Sequence, residues 1–472
     1  MFFNGTILLL GFGASTLAVL ALLRLGVFRQ LLLFLMLLQI FTFVIKVTYG
    51  VANTTILALL PTVFLGTMLC SVFLLGVQGK LSFRLSILDI LVLSFFSLDF
   101  IQVFNPYLGA LDNQDFLIIG LRGFQQRSFL GLVYFVIRWL DISSLRFNTI
   151  VRVLTYSIAL GSLYALLQQL FVFDLFESAY RLEQIAKDPL LEDQFLLRAV
   201  GFLGSPFTFG LMSATGLVCG IYLRNAVLLS KKEKLLSMAC VVLNGAAVII
   251  SGSRSTYFSL IAMCAILAFF MRTPLFLFAW HARRMIIAAV VCLTALFMMF
   301  PDSAPVKFSI ERISSLNEIF ASNESITDYN FIVRRELIAA SGSMILDNPL
   351  GYGAGIFNGG SNPDGLVKVK GYSTFMDNEF VGLALELGIQ SVLLFLVIVG
   401  MALYRCHLAL RLPTYRTRAR VLIALVVICP IAGVGGQWLA AYPINIIFWV
   451  VLGLIAGVRV SVHSLQYSGK HG

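Results

Sequence analysis

Charge is scarce in this sequence. Asp, Glu, Lys and Arg make up 12% of its 472 residues, where a soluble chain carries about 25%. Set beside 59% hydrophobic residues, that shortfall excludes a soluble globular enzyme. Histidine is scarcer still. The four are His281, His407, His463 and His471, all in segments expected on the cytoplasmic side of a membrane. A histidine base and a histidine-rich metal site are therefore excluded on the outer face. The seven cysteines fall within or at the ends of apolar runs. No pair has metal-ligand spacing, and no disulfide framework is implied. A Walker motif is missing, which argues against an ATP-driven pump. GYGAG at 351–355 is no nucleotide fingerprint, because no strand–turn–helix unit surrounds it. It reads as a flexible turn. Internal repeats and low-complexity segments are also absent.

What the sequence does hold is apolar runs near the roughly 20 residues that span a bilayer. Spans are expected over about 6–23, 31–45, 55–77, 86–104, 128–142, 153–175, 205–226, 235–252, 255–271, 285–300, 377–404, 421–440 and 444–461. The fold class is an all-α polytopic integral membrane protein with about thirteen transmembrane helices (twelve to fourteen). The first run, Thr6 to Leu23, has no basic flank or small-residue cleavage site and reads as a retained span. Residues 105–127, with FLIIGLRGF, read as a segment that dips partly into the membrane.

The net charge of +11 follows topology rather than nucleic acid. Basic residues cluster in alternate short loops, for example Lys231, Lys232 and Lys234, or Arg411, Arg416, Arg418 and Arg420. Such loops face the cytoplasm. The C-terminus then lies inside, and with thirteen spans the N-terminus lies outside. Two long loops, 176–204 and 301–376, fall on the outer face. In the second, NFIVRRELIAASGSMIL reads as an amphipathic helix with Arg334, Leu337, Ile338, Ser341 and Ile345 on one face. Four regions result: helices over 1–197, a transmembrane core over 198–300, an outer loop over 301–376 and C-terminal helices over 377–472.

Polar residues gather on the outer face. SGSRST at 251–256 puts Arg254 at the tip of a tight hairpin between two apolar runs. Charge at membrane depth is costly and commonly functional, although an arginine there also anchors a hairpin by snorkelling. Arg198 precedes GFLGSPFTFG, Arg334 and Arg335 lie in the amphipathic segment, and Asp377, Asn378 and Glu379 open the eleventh span. Each has a plainer alternative. Arg198 can be solvated, Arg334 and Arg335 can pair with Glu336 or Asp328, and Asp377 reads as a helix N-cap. Arginine binds phosphate oxygens bidentately and stays charged when partly buried. A nearby carboxylate suits a general base for an attacking hydroxyl. Together they suit glycosyl transfer from an anionic lipid-linked donor. Asp377 and Glu379 lie about 200° apart in helical phase, so one of them faces the site. Glu386 shares the Glu379 face.

Four segments, in order, resemble the O-antigen ligase and polymerase superfamily of bacterial surface-polysaccharide assembly. They are RAVGFLGSPFTFG, SGSRSTYFSL, RRELIAASGSMILDNPLGYGAGIF and DNEFVGLALELGIQSVLLF, which together cover about residues 198–404. The resemblance implies a GT-C-type glycosyltransferase with a large periplasmic loop, in the bacterial inner (cytoplasmic) membrane. It implies an undecaprenyl-pyrophosphate-linked oligosaccharide as substrate and inversion at the anomeric carbon. No cofactor and no metal are implied. Arg198, Arg254 and Arg334, with Arg335 in reserve, would bind the pyrophosphate. Asp377 or Glu379 would act as base, supported by Asn378, Ser253 and Gly353. Ligases of the superfamily carry histidine where this chain has Asp377, so the resemblance is closer to a polymerase that joins repeat units. A ligase, a protein O-oligosaccharyltransferase and a lipid-linked sugar transporter are the alternatives. Membrane lipid, a chain-length-regulating copolymerase and a flippase are the expected partners.

Overall fold

A computed structural model of the chain describes residues 25–47, 60–81, 85–105, 114–140, 142–170, 205–226, 230–271, 329–357 and 378–458, together with 83, 107, 203, 368 and 369. The expected spans 6–23 and 285–300, and most of the two long loops, lie outside the described residues. The described elements are helical. They are α1 (Val27–Val47), α2 (Leu60–Val77), α3 (Ile87–Gln102), α4 (Gln114–Phe124), α5 (Val133–Trp139), α6 (Ser144–Leu170), α7 (Pro206–Asn225), α8 (Lys231–Ile250), α9 (Arg254–Met271), α10 (Tyr329–Asp347), α11 (Glu379–Leu387), α12 (Ile389–Leu410), α13 (Arg416–Ala432) and α14 (Ile444–Gly457). A π-helical turn (Gln125–Phe129) and a 3-10 turn (Leu130–Leu132) join α4 to α5.

The helix starts follow local chemistry. Ser86 and Asp89 form a capping box before α3, and Ser230 and Glu233 form one before α8. Each hydroxyl takes a first-turn N–H and each carboxylate reaches back to the cap N–H. At α7, Ser205 caps and Pro206 sits in the first turn, where its missing N–H costs nothing.

Packing puts α14 at the centre. Every residue from Ile444 to Ala456 is buried. It packs against α5 and α13, and α7 packs against α6, α8 and α13. Trp449 meets Phe95, Phe96 and Phe448, and Trp438 meets Phe395 and Phe448. Six described helices are long and apolar enough to cross a membrane: α2, α6, α7, α8, α12 and α13. Their outward faces remain apolar, as at Phe73, Leu160, Leu235, Leu393 and Val397, which suits lipid.

One end of the bundle is basic. There Arg146 lies over the Phe28 ring and Arg418 over the rings of Phe147 and Tyr415. Arg152 pairs with Glu233 at 3.0 Å, and Arg405 donates to the Ala456 carbonyl. These contacts bring together the starts of α1, α6, α8 and α13 and the ends of α12 and α14. The other end carries the α8–α9 hairpin, the start of α11 and the turn after α13.

Three expected spans differ from the observed elements. The 128–142 segment is broken into a π-helical turn, a 3-10 turn and the seven-residue α5. The 377–404 segment is broken at Gly388, whose φ of +86° separates α11 from α12. Only glycine takes that backbone without strain. The 421–440 segment ends as a helix at Ala432, where GVGG turns the chain through a 3-10 turn at Gly433–Gly435.

Candidate functional site

The α8–α9 hairpin is built from its own hydroxyls. Gly252 turns at φ +60°. Ser251 donates to the Val248 carbonyl at 2.6 Å and accepts from the Ser253 N–H at 3.3 Å. Thr256 donates to Ser253 Oγ at 3.0 Å, and the Tyr257 hydroxyl reaches back to the Ile249 carbonyl. Ser251, Gly252, Ser253 and Thr256 are buried, while Arg254, at the first position of α9, is half-buried. The hairpin tip is therefore fixed, and Arg254 leaves it from a rigid base. The α7 helix supports it from behind. A Cβ on Gly210 would lie 2.7 Å from Ser251 Oγ and 2.9 Å from Thr256 Oγ1, so the third glycine of GFLGSPFTFG allows the close approach.

The start of α11 meets this hairpin across one turn. Asn378 caps α11: its Oδ1 accepts from the N–H groups of Phe380 and Val381, at 3.0 and 3.1 Å. Its Nδ2 donates to the Val434 carbonyl at 3.0 Å. From the hairpin side, Ser255 Oγ donates to the Gly435 carbonyl at 3.1 Å. Two neighbouring carbonyls thus hold the hairpin and the α11 start on the same short turn. Glu379 points inward and is buried. One of its oxygens accepts from both the Trp438 and Leu439 N–H groups, at 2.6 and 2.8 Å.

At the far end of α11 lies a buried ionic cluster. Arg127, on the π-helical turn, pairs with Glu386. Its Nε lies 3.9 Å from Asp99, which also accepts from Ser128 at 2.5 Å. Glu386 further accepts from the N–H groups of Gly355 and Phe357, at 3.1 and 2.9 Å. Charges this deep persist only when paired and hydrogen-bonded. The cluster fixes the loop at 348–357. Asn348 and Asn105 donate to the Gly351 carbonyl, and the Gly353 N–H donates to the Glu386 carbonyl. Gly351, Gly353 and Gly355 have φ values of +95°, +121° and +81°. GYGAG is thus a buried, fully tied element and not the flexible turn expected from its composition.

The expected site residues divide accordingly. Asn378 and Glu379 bond directly to the turn at 433–439, and the hairpin that carries Ser253 and Arg254 meets the same turn through Ser255. Gly353 belongs to the second cluster, seven residues or about 10 Å further along α11. Arg334 and Arg335 lie on α10, and their side chains are outside what the structure describes. Arg198 and Asp377 lie outside the described residues. The expected N-cap at Asp377 is corrected by one position: Asn378 is the cap. The amphipathic helix is present as α10, but its buried row is Ser341 and Met344, and Ile338 is exposed.

Sequence reasoning missed Arg127, Asp99 and the 433–439 turn. For Arg127 the only signal is a charge directly before the apolar run SFLGLVYFVI. For the turn it is GVGG, a glycine cluster that hydropathy had averaged into a span.

These helices and this cluster define a multi-pass membrane protein with a charged site at one end of the bundle. A family model described as O-antigen ligase matches residues 239–396, from within α8 to within α12. The chain is thus similar to the O-antigen ligase and polymerase superfamily over the segment that carries the hairpin, α10, the 348–357 loop and α11. No curated protein matches the chain.

Proposed function

We propose that the protein is a glycosyltransferase that polymerises lipid-pyrophosphate-linked oligosaccharide repeat units on the outer face of a bacterial cytoplasmic membrane. The observation that carries this reading is the junction of the Arg254 hairpin and the Asn378 helix start over the carbonyls of Val434 and Gly435. A cation and the residue next to a carboxylate are held on one rigid frame. The basic end of the bundle faces the cytoplasm by the positive-inside rule. The junction, at the opposite end, then faces the periplasm.

In the proposed step Asp377 removes a proton from the acceptor sugar hydroxyl. The freed oxygen attacks the anomeric carbon of the donor from the face opposite the leaving group. The bond between that carbon and the pyrophosphate oxygen breaks, and the lipid pyrophosphate leaves with the bonding pair. Arg254 stabilises the charge that develops there, with Arg198 and Arg334 as further prongs. Position 335 is in phase with Ala339, Gly342 and Leu346, all exposed, whereas position 334 continues the row of Leu337 and Ser341. This phase favours Arg334 over Arg335. Glu379 is occupied by two backbone N–H groups, which favours Asp377 as base. Thirteen spans and a GT-C-type architecture belong to the same reading.

A ligase that moves the whole glycan to one acceptor shares this donor and this chemistry. The description of the matching family favours it, and Asp377 in place of the ligases' histidine favours polymerisation. Incubating purified protein with lipid-linked oligosaccharide separates them. A ladder of product lengths is expected. A single transferred glycan on an added acceptor would establish the ligase, and lipid movement without a new glycosidic bond would establish a transporter.

A further inference from the structure

The Gly433–Leu439 turn touches three of the segments that carry the proposed chemistry, and it lies beyond the residues matched by the family model. Asn378 takes the Val434 carbonyl and Ser255 takes the Gly435 carbonyl. A Cβ on Gly436 would lie 2.7 to 2.9 Å from the ring of Phe207, in the first turn of α7. A Cβ on Gly433 would lie 3.1 Å from Glu379 Cβ and 2.8 Å from Trp438 Nε1. A Cβ on Gly435 would collide with Ser255 Oγ. Each glycine in GVGG therefore allows a different segment to approach.

What holds the turn in place is Glu379. Its carboxylate is buried, and a single oxygen accepts the N–H groups of Trp438 and Leu439. Trp438 is itself wedged against Phe395 and Phe448. The turn is thus pinned at 438–439 by Glu379 and offers its carbonyls at 434–435 to the hairpin and to the α11 cap.

We infer that Glu379 is a positioning residue: through the Trp438 and Leu439 N–H groups it locks the Gly433–Leu439 turn, which sets the Arg254 hairpin against the start of α11. The turn fixes the spacing of cation and base. This rests on the proposed glycosyl transfer for its kinetic consequence, but its structural content does not. Because one oxygen takes both N–H groups, an amide oxygen in the same place can do so too. A proton acceptor has no such substitute.

The test uses the full-length protein in detergent with Glu379→Gln, Glu379→Ala, Ser255→Ala and Ser255→Thr. Amide hydrogen exchange is followed at 433–440 and at 251–257, and turnover of lipid-linked oligosaccharide is measured alongside. Glu379→Gln is expected to keep native exchange in both segments and turnover within roughly threefold, the weakening of about half a hydrogen bond. Glu379→Ala is expected to speed exchange in both segments and to lower kcat by up to ~10²-fold with KM little changed, as a misplacement near 1 Å does. Ser255→Ala is expected to lower kcat in the same manner, with Ser255→Thr restoring it; this pair decides the matter if Glu379→Ala does not fold. Loss of activity in Glu379→Gln with native exchange would make Glu379 the base and overturn the inference. So would faster exchange in Glu379→Ala confined to 433–440. If the wild type forms no glycosidic bond, the transfer reading fails, and the exchange measurements still decide the role of Glu379.

Discussion

Two arginines near the same end of the bundle illustrate how surroundings decide what a charge does. Arg127 is enclosed by Asp99 and Glu386 and is almost fully removed from solvent. Its charge is spent on holding the 348–357 loop to the bundle. Replacing it with Leu strands two buried carboxylates, and removal of one partner of a buried pair costs about 3–5 kcal/mol. Arg127→Leu is therefore expected to lower the unfolding temperature sharply, measured by thermal unfolding in detergent. A double variant with Glu386→Gln recovers part of the loss. Arg254 instead sits half-buried at a hairpin tip whose polar neighbours satisfy one another. Arg254 was legible in the sequence because SGSRST interrupts two apolar runs. Arg127 was not, because its partner Glu386 lies 259 residues away and no local period points to it. Asp377→Asn is expected to abolish product while leaving unfolding unchanged, since Asn378 supplies the helix cap.

Among the elements, the glycine-bearing turns determine where the functional segments sit. Three glycines with positive φ shape the 348–357 loop, and one more breaks α11 from α12. A Cβ on Gly351 would lie 2.6 Å from the Glu386 carbonyl oxygen and 2.6 Å from the Gly388 nitrogen, both backbone atoms that cannot swing away. Gly351→Ala adds this collision to a left-handed backbone that alone costs about 1–2 kcal/mol. Expected outcomes are lower thermal stability and faster proteolysis within 348–357, read by limited digestion. The sequence pattern located the helices more closely, because hydropathy is local. The 205–226 span lies within a residue of α7 (Pro206–Asn225), while the 235–252 span starts four residues after α8 (Lys231–Ile250) does. It failed at Gly388 and at GVGG. An average over a hydropathy window does not register a single backbone angle, and whether a glycine turn is loose or buried depends on distant partners. GYGAG illustrates the second case: Glu386 and Gln102, remote in sequence, make it rigid.

Across the whole molecule, a buried central helix and an apolar rim set the polarity of the bundle. The short α14 is enclosed on all sides, and basic side chains collect at one end. At the other end the hairpin, the α11 cap and the 433–439 turn converge. On the proposed reading, that asymmetry suits chemistry at one membrane face. Charge patterning in the sequence anticipated the asymmetry. The sequence put the hairpin and the start of α11 on one face, but that they meet through the 433–439 turn was out of reach, since hydropathy assigned that turn to a span. The most direct test of the account compares wild type with Arg254→Ala. Both are purified, matched for unfolding temperature, and given lipid-linked oligosaccharide. Loss of polymer in Arg254→Ala, with the wild type producing a ladder, is the predicted result. Normal polymerisation by Arg254→Ala would contradict it.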